Sequence, residues 1–280
     1  MPQKKTGKTP AARWTPPNSP ADDAPMTAED YLALAEEATS VKKRLEYIKK
    51  ALELEPDNLS AQLMEAIEND DLLKMISLSE QMIAQEEASL RDQGYFKKEC
   101  IGDFWLIWET RDYMRMRIKH LGMLTMIHRL RAAVAEAKDL LRLCTGDNVG
   151  ARYILMGLYV ALEEKDELEK LLGQYDEAGP ETLFARSMTA FRFGDMEEAL
   201  AQLKKIRVPS LRTFIHALLR DELEETYPEE FESVTYDGIY QYNTIGHLIE
   251  IWEQWAFLLP DSSAYLVWAY EALKKPRVRS

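Results

Sequence analysis

The sequence predicts an all-α fold, a stack of antiparallel helix pairs closed by a C-terminal capping helical segment. Three observations predict it. Apolar residues recur at spacings of three and four along most of the chain, the period of an amphipathic helix. Helix breakers are scarce, with 12 Gly and 12 Pro in 280 residues, and six of the prolines (Pro2, Pro10, Pro16, Pro17, Pro20 and Pro25) fall in the first 25 positions. Helix starts near Met114, Asn148 and Pro180 are 34 and 32 residues apart, and pairs returning at a fixed interval mark a solenoid. One pair cannot hide its apolar face, whereas stacked pairs can.

Taken in order, residues 1–26 read as a disordered, basic, Pro-rich tail carrying Lys4, Lys5, Lys8, Arg13 and Trp14. Residues 27–93 read as N-terminal helices. Thr27 and Asp30 form a capping-box pattern ahead of the stripe Tyr31, Leu32, Leu34 and Ala35. A second helix follows Ser40 through Leu45, Ile48, Ala51 and Leu52, and Pro56 stops it. Asp57-Asn58 caps a third at Leu59–Ile67, and a long fourth runs Leu72–Leu90 to a break at Gly94.

Residues 94–226 hold the central pairs. The aromatic stretch Tyr95–Trp108 is expected to pack as a short helix or loop. Thr110–Ile127 then pairs with Arg129–Leu143, Val149–Leu162 with Lys165–Tyr175, and Pro180–Phe193 with Met196–Ile206. Pro180 suits a first helical turn. A further helix covers Ser210–Leu223. Residues 227–280 are assigned to the cap: a loop at Pro228–Tyr240 with a turn at Asp237-Gly238, then helices at Tyr242–Leu258 and Ser262–Leu273.

Composition narrows the function classes. A net charge of -13 disfavours nucleic acid on the folded body, which needs concentrated basic surface, and an anionic leaflet is disfavoured for the same reason. No apolar run of about 20 residues is present, and the N-terminus lacks the apolar segment of a secretory signal. The two cysteines, Cys100 and Cys144, lie too far apart for a CxxC pattern and read as reduced thiols, which fits a cytoplasmic protein.

Short strings resemble the tetratricopeptide repeat. Ala51-Leu-Glu-Leu-Glu-Pro-Asp-Asn58 is similar to a repeat ending, and Gly194-Asp-Met-Glu-Glu-Ala199 to the turn between paired helices. Leu140-Leu-Arg-Leu-Cys-Thr-Gly-Asp-Asn148 resembles an ending that has lost its proline. Two further strings, Glu109-Thr-Arg-Asp-Tyr-Met-Arg115 and Gly146-Asp-Asn-Val-Gly-Ala-Arg-Tyr153, resemble bacterial tetratricopeptide proteins related to the suppressor of tumorigenicity 7 family. Asp112 stands where that family has proline, and Thr145-Gly146 also depart from it. Trp252–Trp268 resembles the family's C-terminal tail. The resemblance implies a right-handed α-solenoid that binds protein or peptide partners, with no cofactor and no catalytic residues to carry over.

Catalytic chemistry has no motif of its own here. His120, His128, His216 and His247 form no HExxH and no i, i+4 pair, so no metal is expected. The acidic runs Glu163-Glu164, Asp221–Glu225 and Glu229–Glu232 read as solvated faces and helix N-termini. The aromatic tail Trp252, Trp255, Phe257, Tyr265, Trp268 and Tyr270 reads as a packed cap. Binding is placed on Arg111, Arg115 and Lys119, one stripe at i, i+4 and i+8, together with Arg152 and Tyr153 on the next first helix and Asn148 beside them. First helices line the hollow of a solenoid, and arginine forks bind carboxylates. Glu109, Asp112 and Asp147 can instead satisfy these arginines within the fold. The tail offers a second route, to an acidic protein or nucleic acid, and a divergent hydrolase or metal-dependent enzyme is a third reading.

Overall fold

The computed structural model describes residues 25–175, 179–236 and 238–274. The tail residues Lys4, Lys5, Lys8, Arg13 and Trp14, and Asp237 of the expected turn, lie outside them. The described residues are all-helical, without a strand, and the chain divides into two compact units between Asp71 and Leu72.

The first unit contains α1 (Ala28–Glu37), α2 (Val41–Leu54) and α3 (Leu59–Glu68), with α1 packed on α2 and α2 on α3. Each start is fixed by a side chain. The Asp30 amide donates to Thr27 Oγ1 at 3.2 Å while the Thr27 amide donates to the Asp30 carboxylate at 2.8 Å. Ser40 and Asn58 accept from the amides of Lys43 and Ala61. Small residues let the helices approach: Ala28, Ala51 and Ala61 are fully buried beside Tyr31, Leu32 and Leu52. Arg44 forks onto Glu68 at 2.6 and 3.1 Å, tying α2 to α3. With so small a core, a cap is a sizeable share of the stability. Thr27→Ala is expected to destabilise α1 by about 1 kcal/mol, read as faster amide exchange at residues 28–31 with α2 unchanged.

The second unit runs from α4 (Leu72–Asp92) through α5 (Arg111–Met126), α6 (Leu130–Leu143), α7 (Ala151–Ala161), α8 (Lys165–Gln174), α9 (Pro180–Arg192) and α10 (Met196–Lys205). It continues as α11 (Leu211–Arg220), α12 (Leu223–Thr226), α13 (Pro228–Thr235), α14 (Ile245–Gln254) and α15 (Leu259–Ala272). Helices α4 to α8 pack on their neighbours in chain order, α7 also meets α9, and α9 pairs with α10. A single core threads the unit through Tyr113, Leu121, Leu140, Leu158, Phe184 and Trp252.

The turns inside the pairs share one design. His128, Glu163 and Gly194 are left-handed, with φ of 54°, 57° and 80°. Beyond them the amides of Arg129, Glu164 and Asp195 reach back to the carbonyls of Leu124, Tyr159 and Ala190, each at 2.9 Å. This is the Schellman closure, which satisfies the last carbonyls of a helix. Only one of the three turns uses the glycine that makes such a conformation cheap.

The segment 95–107 contains no helix. Gly102, at φ 105°, lets the loop lie along the end of α6, where the amides of Gly102 and Phe104 donate to the Leu143 carbonyl. Phe104 is buried edge-on to Phe96. One expectation is corrected. Residues 228–235 form helix α13, not a loop, because Pro228 sits in the first turn, followed by Glu229 and Glu230, where a helix N-terminus favours proline and acids. The buried side chain of Val234 and the half-buried Phe231 join the core, and α13 packs on α14.

Candidate functional site

The site is built at the entry to α5. Thr110 Oγ1 donates to the carbonyls of Phe104 and Ile107, folding the chain into a short 3-10 turn at Trp108–Thr110. That turn holds Trp105 half-buried but leaves Leu106 and Trp108 68% and 74% exposed. Large apolar side chains that exposed are unusual on a monomer's surface when they stand together.

Two of the expected binding residues frame them. Arg111 Nε donates to the Trp105 carbonyl at 2.9 Å, and its guanidinium lies 5.1 Å from the Trp108 ring centre. Arg115 lies 5.5 Å from the Trp105 ring and bonds Asp112 at 2.7 Å. Asp112 and Arg115 are both exposed, so this i, i+3 pair contributes only a fraction of a kcal/mol and can exchange for a ligand carboxylate. Lys119 is exposed one turn further on. Arg111 thus lies against the bare Trp108 and Arg115 against Trp105, a neighbourhood that the stripe alone did not reveal.

The other three expected residues have different duties. Asp147, left-handed and buried, accepts from the amides of Ala151 and Arg152 and so caps α7. Its carboxylate also takes Arg152 Nη1 at 3.2 Å. Burial raises the Asp147 pKa despite those bonds. Arg152 donates to the Tyr153 hydroxyl at 2.6 Å and lies over the rings of Tyr153 and Tyr175. The internal use of these arginines is therefore realised at Asp112 and Asp147. Asn148 is exposed and accepts from the Cys144 thiol.

The first helices also carry a cover. The Trp255 indole N–H, from the end of α14, donates to the Tyr153 carbonyl at 2.8 Å, and Trp252 packs edge-on against Phe184 of α9. On α7, Gly157 makes room: a Cβ there would lie 2.7 Å from Trp255 Cδ1. Helix α14 therefore packs on both α7 and α9.

Sequence reasoning missed a buried network behind the surface. Arg117 forks onto Glu136 at 2.6 and 2.8 Å, reaches Asp139 at 2.7 Å and donates to the Tyr113 hydroxyl. Tyr113 in turn donates to Glu87 at 2.9 Å. Burial disfavours the Arg117 cation, but bonds from Glu136 and Asp139 outweigh it and hold its pKa up. Burial likewise raises Tyr113. These contacts tie α4, α5 and α6 together.

The histidines divide between inside and out. His120 is buried with Nδ1 2.8 Å from Ser79 Oγ, burial lowers its pKa, and His128 is exposed. Both cysteines are free thiols. Among the described residues no helix is long and apolar enough to cross a membrane. Compared with family models, with curated proteins and with solved structures, the chain has no significant match.

Proposed function

We propose that the chain is a non-catalytic, cytoplasmic scaffold of tetratricopeptide-like pairs, wound as a right-handed solenoid and akin to bacterial relatives of the suppressor of tumorigenicity 7 family. Its task is to hold a protein or peptide partner. The recurring closure at His128, Glu163 and Gly194, at intervals of 35 and 31 residues, supports the repeat reading. Two unpaired thiols suit a reducing compartment.

The observation that carries the binding site is Trp108, largely bare beside Arg111, with Arg115 against the neighbouring Trp105. Tryptophan and arginine dominate the energetics of protein interfaces, since a large ring and a planar cation lose little freedom on contact. In a chain of net charge -13, this local run of Arg111, Arg115 and Lys119 selects an acidic partner segment bearing one apolar anchor for Trp108 and Leu106. Because α14 lies on α7 and α9, the partner meets the outer surface at the start of α5.

A photo-crosslinking residue placed at Leu106 in the native host should capture a discrete partner, and the same residue at the exposed Val267 of α15 should not. Trp108→Ala with Arg115→Ala should reduce that capture at least tenfold, with an unchanged circular dichroism spectrum. Equal yield from the double variant, or the same products from both positions, removes this surface from consideration.

A further inference from the structure

Beside α14, away from the Trp108 surface, a small recess of about 40 Å³ lies between the start of α9 and residues 240–255. Four aromatic side chains line it, Tyr153, Tyr240, Tyr242 and Trp255, with the carboxylates of Glu181 and Glu250. No lysine or arginine is among its described lining residues.

Glu181 is the unusual member, with a carboxylate side chain only 2% exposed. Its Oε1 accepts from the Tyr242 hydroxyl at 3.0 Å, and Oε2 lies 3.5 Å from His247 Nε2. His247 Nδ1 accepts the Asn243 amide at 3.2 Å, so a neutral ring carries its proton on Nε2, facing the carboxylate. Burial lowers the His247 pKa and so favours the neutral imidazole. Tyr240 stacks on that imidazole at 5.3 Å and Tyr242 stands 4.3 Å away, fixing both rings. Gly179 is what lets the carboxylate and phenol sit so close, since a Cβ there would come 2.3 Å from Glu181 Oε1 and 2.4 Å from the Tyr242 oxygen.

The surroundings add to the negative field. An adjoining hollow shares Tyr240 and is lined by Glu229 and Glu230, and a groove on the other side shares Glu250 and adds Glu253. Burial, then the neighbouring Glu250, raises the Glu253 pKa. Such a site repels anions. Aromatic rings with carboxylates favour a cation that sheds its hydration easily and presents methyl groups to ring faces. Small inorganic cations hold their water and prefer a shell of oxygen ligands.

We propose that this recess binds a methylated or quaternary ammonium group, with the partly exposed Glu250 and the buried Glu181 set against the charge and the rings of Tyr153, Tyr240 and Tyr242 around its methyls. The same head group occurs on free choline-like molecules and on trimethylated lysine of a polypeptide. The site does not depend on the Trp108 surface.

The test titrates the full chain at constant ionic strength with choline, with its neutral isostere 3,3-dimethylbutan-1-ol, and with a short peptide carrying trimethyllysine or unmodified lysine. Tryptophan fluorescence and methyl chemical shifts report binding. Choline or the trimethylated peptide should saturate the signal while the isostere does not. Glu250→Gln and Tyr240→Ala, both at partly exposed positions that spare the fold, should each weaken binding about tenfold, roughly 1.4 kcal/mol. A peptide that binds more tightly than choline assigns the site to a modified partner, and the reverse assigns it to a free small molecule. Equal response to choline and its isostere, no saturable response to either cation, or full affinity in both variants overturns the proposal.

Discussion

Replacing Trp255 by alanine is expected to destabilise the second unit by about 3–5 kcal/mol, the usual range for deleting a fully buried aromatic side chain. Trp255 has no exposed surface, so the whole indole volume becomes cavity. The substitution also strands the Tyr153 carbonyl, which accepts the indole N–H at 2.8 Å inside the fold. Chemical denaturation followed by circular dichroism reads the change directly. A loss below about 1 kcal/mol, typical of a surface position, would mean that α14 does not bear on α7.

A companion substitution makes the test specific to that contact. Gly157→Ala alone should destabilise the wild-type protein, because its Cβ would lie 2.7 Å from the indole. In the Trp255→Ala background the obstruction is gone, and the same change should be neutral or stabilising by up to about 1 kcal/mol, the helix-propensity gain of alanine over glycine. A change of sign between backgrounds identifies direct packing. Two additive losses would place the strain elsewhere. The outcome also bears on function, since a loosened α14 exposes the face of α7 and α9 that it now covers.

The helices were largely legible because each is announced locally. Thr27, Ser40 and Asn58 cap where they should, and Pro180 opens α9. Helix α13 escaped because Pro228 and the following glutamates fit a loop and a helix start equally well, and only the contact with α14 decides. The turns at His128 and Glu163 escaped because a left-handed non-glycine residue carries no compositional mark. At the site, spacing placed Arg111, Arg115 and Lys119 on one stripe, but it could not show that Leu106 and Trp108 stay outside, since a loop's path is set by what its neighbours bury. Spacing did hold one unread sign. Arg117 shares the register of Tyr113, His120 and Leu124, the buried face of α5, and a charge there must find partners.

Those partners make Arg117→Ala the second large effect. Removing one member of a buried ion pair leaves the other charge uncompensated, at a typical cost of about 3–5 kcal/mol. Asp139 is about a third exposed and keeps its bond from Arg142, so the loss should fall near the lower end, about 3 kcal/mol. Acid should shrink the difference. Burial tends to raise the Asp139 pKa, but bonds from Arg142 and Arg117 outweigh it, and the group titrates below its ordinary value. The net direction at Glu87 is the same: burial opposes ionisation, while Arg91 and Tyr113 favour it. A depressed carboxyl adds stability above its unfolded pKa and loses it as pH falls through the folded one. The wild type should therefore weaken on acidification through about pH 4, near the unfolded carboxyl values, more steeply than the variant, and the two unfolding curves should converge. Arg117→Lys, which keeps charge but not the fork, should lie between them at pH 7. A gap that stays constant from pH 7 to pH 3 would show that Arg117 acts through packing of its stem alone, and that the Glu136 and Asp139 carboxylates do not hold α5 against α6.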